Sequence, residues 1–259
     1  MAGRWPSIIL DGDRRLYSAH TFSSFRTLCD QWSGQDDFAV FRRFLGPGAV
    51  FFDVGANLGV TSIVAARIAN SIRIVAFEPT AECAEVWRKN IAANGVADAV
   101  LFECALAEKS GTTEFIAHKA ANYNRLNIGN TISRHSIARS PDTILKKIPV
   151  KTVDQVCAEL NIQRISLLKI DVEGAEPAVL RGARKMLKEK AIDAVFVEFV
   201  PEYMLDMNED VTAFVEMMSS YGYMAFEIGR GGIADSRIAV QRLTTGEFDG
   251  PNLIFRQEA

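Results

Sequence analysis

Histidine is scarce in this 259-residue chain: only His20, His118 and His135 are available for imidazole chemistry. Cysteine is nearly as sparse. Cys29, Cys83, Cys104 and Cys157 lie far apart and form no CxxC, which argues against a zinc site or a disulfide framework and for buried thiols in a reducing compartment. No window approaches the ~20 apolar residues of a membrane span. The opening MAGRWPSIILDGDRRLYS has no apolar run long enough for a signal-peptide core. A cytoplasmic protein without membrane contact is the expectation. An excess of one charge is also missing, because the formal net charge of −3 gives no global attraction to nucleic acid. No internal repeat or low-complexity tract is found.

What the chain does have is apolar material, 48% of its residues, enough for one large domain with trimmings. SIILDGDRRLYSA (7–19) reads as two short strands around a turn. DDFAVFRRFL (36–45) puts Phe38, Phe41, Phe44 and Leu45 on one helical face, which suits a packing helix and equally a homodimer interface. Gly46-Pro47-Gly48 then divides an N-terminal extension, 1–46, from a main domain, 47–259. Strands are expected at 49–54, 71–77, 99–106, 165–171, 191–199, 223–228 and 252–256, with helices at 60–69, 81–95, 175–190 and 210–222. TTEFIA (112–117) reads as an edge strand, and 148–160 as a strand running into a helix. Strands alternating with helices of this length imply an α/β fold with a mostly parallel sheet. Residues 118–147 lack a clear period and read as a long loop of the kind that carries function.

The stretch FFDVGANLGVTS (51–62) leaves a strand, turns on glycines and opens a helix, the context of a cofactor loop. Gly55 allows close backbone approach and Gly59 allows helix packing. Asn57 stands where a dinucleotide fingerprint needs its second glycine, and Asp53 adds a carboxylate that would repel a pyrophosphate. Both favour a phosphate-free, cationic cofactor, and S-adenosylmethionine fits. Glu78, 23 positions after Gly55 at the end of the next strand, is placed to hold ribose hydroxyls, and Pro79 turns the chain away. Cys104 and Ala105, ending the third strand, would flank the adenine.

DVGANLG, AFEP, LLKIDVEGAEPAVLRGA (167–183) and VEF (197–199) together resemble the FkbM family of class I S-adenosylmethionine-dependent methyltransferases. The resemblance covers roughly 47–200 and extends plausibly through NLIFR. It implies a Rossmann-like, seven-stranded, mostly parallel sheet with helices on both faces and an antiparallel last strand. It also implies methyl transfer, usually to oxygen, on a sugar or secondary metabolite. An N-methyltransferase, and an NAD-type oxidoreductase on the same sheet, are the alternatives.

Methyl transfer needs acceptor, methyl and sulfur in line, and a hydroxyl acceptor needs its proton taken or its oxygen polarised. Asp171 and Glu173, two apart on extended backbone at a strand end, should share a side facing the cleft. They would hold cofactor or acceptor by hydrogen bonds or, with Glu198 at the next strand end, ligate Mg2+. Glu176 reads as a charge complementing a helix dipole. His135, and after it His118, are candidate general bases, with Asp171 a third catalytic candidate. Tyr123, Asn130, Thr131 and Arg134 are candidate contacts for a small-molecule acceptor.

Overall fold

Alternate residues of AVFFDV face opposite sides of a strand, and both sides are apolar: Phe51 is buried in one cluster, Phe52 and Val54 in another. A strand apolar on both faces must be covered twice, and that requirement sets the architecture. The computed structural model describes residues 7–10, 14–17, 40–69, 71–118, 125–126, 143–229, 232–245, 247–248, 250 and 252–258.

In chain order the strands are β1 (Ser7–Leu10), β2 (Arg14–Tyr17), β3 (Val50–Val54), β4 (Arg73–Phe77), β5 (Ala99–Phe102), β6 (Ala105–Leu106), β7 (Gly111–His118), β8 (Arg125–Leu126), β9 (Thr143–Lys151), β10 (Leu167–Ile170), β11 (Ala194–Glu198), β12 (Tyr223–Gly229), β13 (Gly232–Arg237) and β14 (Asn252–Gln257). The helices are α1 (Phe41–Phe44), α2 (Val60–Ile68), α3 (Ala81–Ala93), α4 (Val153–Glu159), α5 (Glu176–Arg181), α6 (Arg184–Lys188), α7 (Pro201–Asp206), α8 (Val211–Ser220) and α9 (Val240–Thr244).

The main sheet runs β13-β12-β14-β11-β10-β3-β4-β5. β11, β10, β3, β4 and β5 run parallel to one another, and β14 lies antiparallel between β11 and β12. Without β13 this is the expected Rossmann-like seven-stranded sheet with its antiparallel last strand. β13 adds an eighth strand by a hairpin with β12. One face is covered by α1, α2 and α3, the other by α4 to α9. Phe41 sits 5.5 Å from both Phe51 and Phe196, so this part of the N-terminal segment belongs to the core; Phe38 lies outside the described residues.

Four expectations need correction. The run 99–106 is two strands: β5 pairs with β4 only as far as Phe77↔Phe102, the chain bends at Glu103-Cys104, and β6 pairs instead with β9 at Ala105↔Val150, joining a second sheet, β6-β9-β7-β8. β7 is not an edge: it lies between β9 and β8. Residues 143–147, expected in the loop, are the start of β9, paired from His118↔Thr143 to Gly111↔Val150. The helix expected over 175–190 breaks at Gly182. A Cβ there would meet the Ala107 carbonyl oxygen at 2.2 Å, and Asp154 caps the restart by accepting from the Lys185 and Met186 amides at 2.8 and 3.1 Å.

Candidate active site

β3, β4, β10 and β11 end side by side, and the turns leaving them form the site. Gly55, Asn57 and Gly59 all have positive φ (75°, 48° and 89°), so the turn depends on residues that tolerate the left-handed region. The amides of Gly55 and Ala56 both donate to the Phe77 carbonyl, at 3.1 and 3.0 Å, pinning the turn to the end of β4. The Asn57 amide donates to Glu78 Oε2 at 3.0 Å, while Glu78 Oε1 accepts from the Thr80 amide and hydroxyl at 2.8 and 2.5 Å. Burial pushes the Glu78 carboxyl up from its ordinary value, against these hydrogen bonds and Lys169, which pull it down. Asn57 Oδ1 is buried and accepts no hydrogen bond.

Both Gly55 and Gly59 are crowded by neighbouring elements. A Cβ on Gly55 would lie 1.9 Å from the Asp171 carbonyl oxygen, so the close approach it permits is to the turn after β10. A Cβ on Gly59 would lie 2.9 Å from Trp87, so this glycine also lets α3 approach the turn.

Asp53 is fully buried beneath the turn. Its Oδ2 accepts from Thr61 and Ser62 at 2.7 and 2.6 Å, and Trp87 Nε1 donates to the Ser62 hydroxyl at 3.1 Å. Asp53 and Lys169 are register partners on adjacent parallel strands, and Lys169 Nζ lies 3.3 Å from Asp53 Oδ1. The same ammonium donates to the Gly55 carbonyl at 2.9 Å and lies 3.4 Å from Asp171 Oδ2. Burial pulls the Lys169 pKa down, but Asp171 and Asp53 outweigh it and the net shift is upward. A buried ammonium thus links the glycine turn to the acidic turn.

The acidic turn is not extended as expected. Glu173 has φ 59° and Gly174 φ 102°, and a Cβ on Gly174 would strike the Tyr203 carbonyl of α7 at 2.3 Å. The turn folds around Glu176, whose Oε1 accepts from the Val172 and Gly174 amides at 3.0 and 3.3 Å. Glu176 stands in the first turn of α5, as its reading as a dipole-complementing charge implies, and it is also an internal brace, 1% exposed. Burial raises its pKa to about 7. Carboxylate oxygens of Asp171, Glu173 and Glu198 all lie within 4.8 Å of one another. Burial, then the charges of Asp171, Glu173 and Glu176, push Glu198 up to about 10, and its Oε2 is buried without a hydrogen bond.

The structure thus brings together Asp53, Gly55, Asn57, Gly59 and Glu78 on one side and Asp171, Glu173 and Glu198 on the other. Pro79 sits between Glu78 and Thr80. Cys104 is buried in the core with its thiol pushed up to about 11, and Ala105 is in β6. His118 ends β7, with its side chain outside the described residues; Tyr123, Asn130, Thr131, Arg134 and His135 lie wholly outside them. Sequence reasoning gave no role to Lys169, Thr61, Ser62, Thr80 or Trp87. The first three had a signal: Lys169 stands inside KIDVEG, and the hydroxyls eight and nine positions after Asp53 fall on the first helical turn, facing back to the strand.

A doubly wound sheet whose first glycine turn is hydrogen-bonded to the acid ending the next strand defines a Rossmann-like domain with a strand-end ligand cleft. The chain belongs to the methyltransferase FkbM domain family, whose model matches residues 53–224. Among curated proteins it is 30% identical over 158 residues to the 31-O-demethyl-FK506 methyltransferase FkbM of Streptomyces tacrolimicus, covering 53% of this chain and 60% of that protein. It is 22% identical over 188 residues to the 2-O-methyltransferase NoeI of Sinorhizobium fredii, covering 69% of this chain and 74% of that one. It is 32% identical over 169 residues to the AMB antimetabolite synthetase AmbE of Pseudomonas aeruginosa, covering 53% of this chain but only 8% of AmbE. This chain thus spans less than two-thirds of FkbM and a small part of AmbE. Among solved structures, the O-methyltransferase TomG from Streptomyces achromogenes, in complex with SAM, aligns at TM-score 0.47 and 14% identity over 87% of this chain and 80% of that one. An rRNA methylase from Streptococcus thermophilus aligns at 0.42 and 7%, over 85% and 93%.

Proposed function

We propose that the protein is an S-adenosylmethionine-dependent methyltransferase that methylates a hydroxyl on a small sugar-like or secondary-metabolite acceptor. The observation that carries this reading is Asn57 Oδ1, a buried acceptor without a donor, at the glycine turn. Around it stand carboxylates, and the cation touching the turn, Lys169, is already engaged by Asp53, Asp171 and the Gly55 carbonyl. A ligand here must bring hydrogen-bond donors and positive charge. A pyrophosphate brings neither, so the dinucleotide alternative fits poorly. S-adenosylmethionine has an ammonium, a sulfonium and ribose hydroxyls, and it supplies a transferable methyl group.

In this reading Asn57 Oδ1 accepts from the cofactor's donors. Glu78, with Oε2 accepting one hydrogen bond, has room for a ribose hydroxyl. Asp53, Thr61, Ser62 and Lys169 hold the turn from beneath. Glu198, protonated at neutral pH, donates a hydrogen bond toward the acceptor side, and Asp171 accepts there. His135 or His118 would take the acceptor's proton. Oxygen as the methylated atom is supported by the likeness to the 31-O-demethyl-FK506 methyltransferase FkbM and the 2-O-methyltransferase NoeI. The formal charge of −3 supports a small acceptor over nucleic acid, and free buried Cys83, Cys104 and Cys157 support a reducing, cytoplasmic setting. Incubation with S-adenosylmethionine and a panel of hydroxylated and amine acceptors, read by mass spectrometry, should give a methylated hydroxyl product and S-adenosylhomocysteine. Methylation of amines alone would overturn the oxygen assignment.

A second reading, Mg2+ held by Asp171, Glu173 and Glu198, is favoured by one observation: Glu198 Oε2 has no hydrogen bond within an all-oxygen cluster. A saturable rise in melting temperature with Mg2+ after EDTA treatment supports it. No change leaves the cluster to hydrogen bonding alone.

A further inference from the structure

Asn90, on α3, is completely buried and uses all three of its side-chain hydrogen bonds on two separate parts of the chain. Its Oδ1 accepts from the Tyr17 amide at 2.6 Å, and its Nδ2 donates to the Tyr17 carbonyl at 3.1 Å. The remaining Nδ2 hydrogen goes to the Leu58 carbonyl at 2.7 Å, inside the glycine turn between Asn57 and Gly59. One helical turn further on, Asn94 Nδ2 donates to the Arg15 carbonyl at 2.9 Å. Residues two apart in a strand and four apart in a helix each advance by about 6 Å along their axes, so β2 lies along α3 with matched hydrogen-bonding groups. Leu16, fully buried, and the Lys89 ammonium 5.9 Å from the Tyr17 ring complete the contact. The hairpin of β1 and β2 lies before residue 53, where the family match begins.

We propose that Asn90 is a positioning residue that couples this N-terminal hairpin to the cofactor turn, so that ordering either one favours the other. Displacement of the hairpin removes two of the three hydrogen bonds that orient the Asn90 side chain and leaves the turn's carbonyl held by a loosened side chain. Coupling of this kind is reciprocal: a ligand that fixes the turn tightens the hairpin. The identity of that ligand rests on the proposed function; the coupling itself does not.

Hydrogen exchange on the full chain tests it. In ligand-free protein, the Asn57 and Gly59 amides should exchange about fivefold to tenfold faster in Asn90→Ala than in wild type, the span expected from losing one hydrogen bond. Asn90→Asp, which keeps the acceptor for Tyr17 and removes both donors, should do the same. Val215→Ala, a core truncation in α8 remote from the turn, lowers the melting temperature without touching either part and should leave both amides unchanged. In wild type, saturating S-adenosylhomocysteine should slow exchange at the Tyr17 amide. Turn amides in both Asn90 variants that exchange as they do in Val215→Ala overturn the proposal. If wild type binds no S-adenosylhomocysteine, the cofactor assignment fails, and the ligand-free comparison still decides the coupling.

Discussion

The Asn57 amide donates to Glu78 Oε2 at 3.0 Å, which makes the glycine turn and the acid ending the next strand a single bonded unit. A ligand seated on one is therefore positioned by the other. Replacing Glu78 with Ala strips the acceptor from the Asn57 amide and from both Thr80 donors. Thermal melts should show a loss of about 1–3 kcal/mol, the cost of leaving buried donors unsatisfied, and cofactor affinity should fall at least about tenfold. An unchanged affinity would detach Glu78 from the site.

Gly55 and Gly95 both have positive φ, yet only Gly55 is crowded. Gly55→Ala drives a Cβ to 1.9 Å from the Asp171 carbonyl and should cost about 3 kcal/mol or more. Gly95→Ala, facing open space, should cost only about 1 kcal/mol. Equal losses in denaturant titration would contradict the packing of the two turns.

Lys169 is 3% exposed and offsets two carboxylates. Lys169→Met leaves Asp53 buried and uncompensated, and should destabilise by about 3–5 kcal/mol. Adding Asp53→Asn should recover part of that loss. A double variant as unstable as the sum of its singles would deny the pair.

The acidic cluster sets a pH dependence. Glu176 titrates near 7 and Glu198 near 10 in the fold, both above their ordinary 4.5. Above pH 4.5 the unfolded chain releases protons that the fold retains, so these two groups make stability fall as pH rises, through about 7 for Glu176 and about 10 for Glu198. In metal-free buffer, Glu198→Gln should flatten the upper part of that decline. A wild-type melting curve that rises steadily across the window would contradict these carboxyls' burial.

The sheet was legible because buried parallel strands are continuous apolar runs separated by segments of helical length. The cofactor side was legible because glycine spacing and a strand-end acid are local patterns. What sequence missed is contact at long range. Nothing near Gly182 announces that the Ala107 carbonyl will press on it, or that Asp154 will cap a new helix there. Lys146 and Lys147 follow Ile144 and Leu145 without the alternation of a strand, so the first five residues of β9 passed for the end of a loop although they pair with β7. Glu176 was legible as a charge at a helix start but not as a buried brace, because its burial is imposed by the turn that wraps it.

The most direct test of the central claim, that this cleft takes a phosphate-free cationic cofactor, is calorimetric titration of the purified chain with S-adenosylmethionine and, separately, with NAD. Saturable heat with S-adenosylmethionine and none with NAD is the predicted result. Binding of NAD, or no heat with S-adenosylmethionine at millimolar concentration, would contradict it.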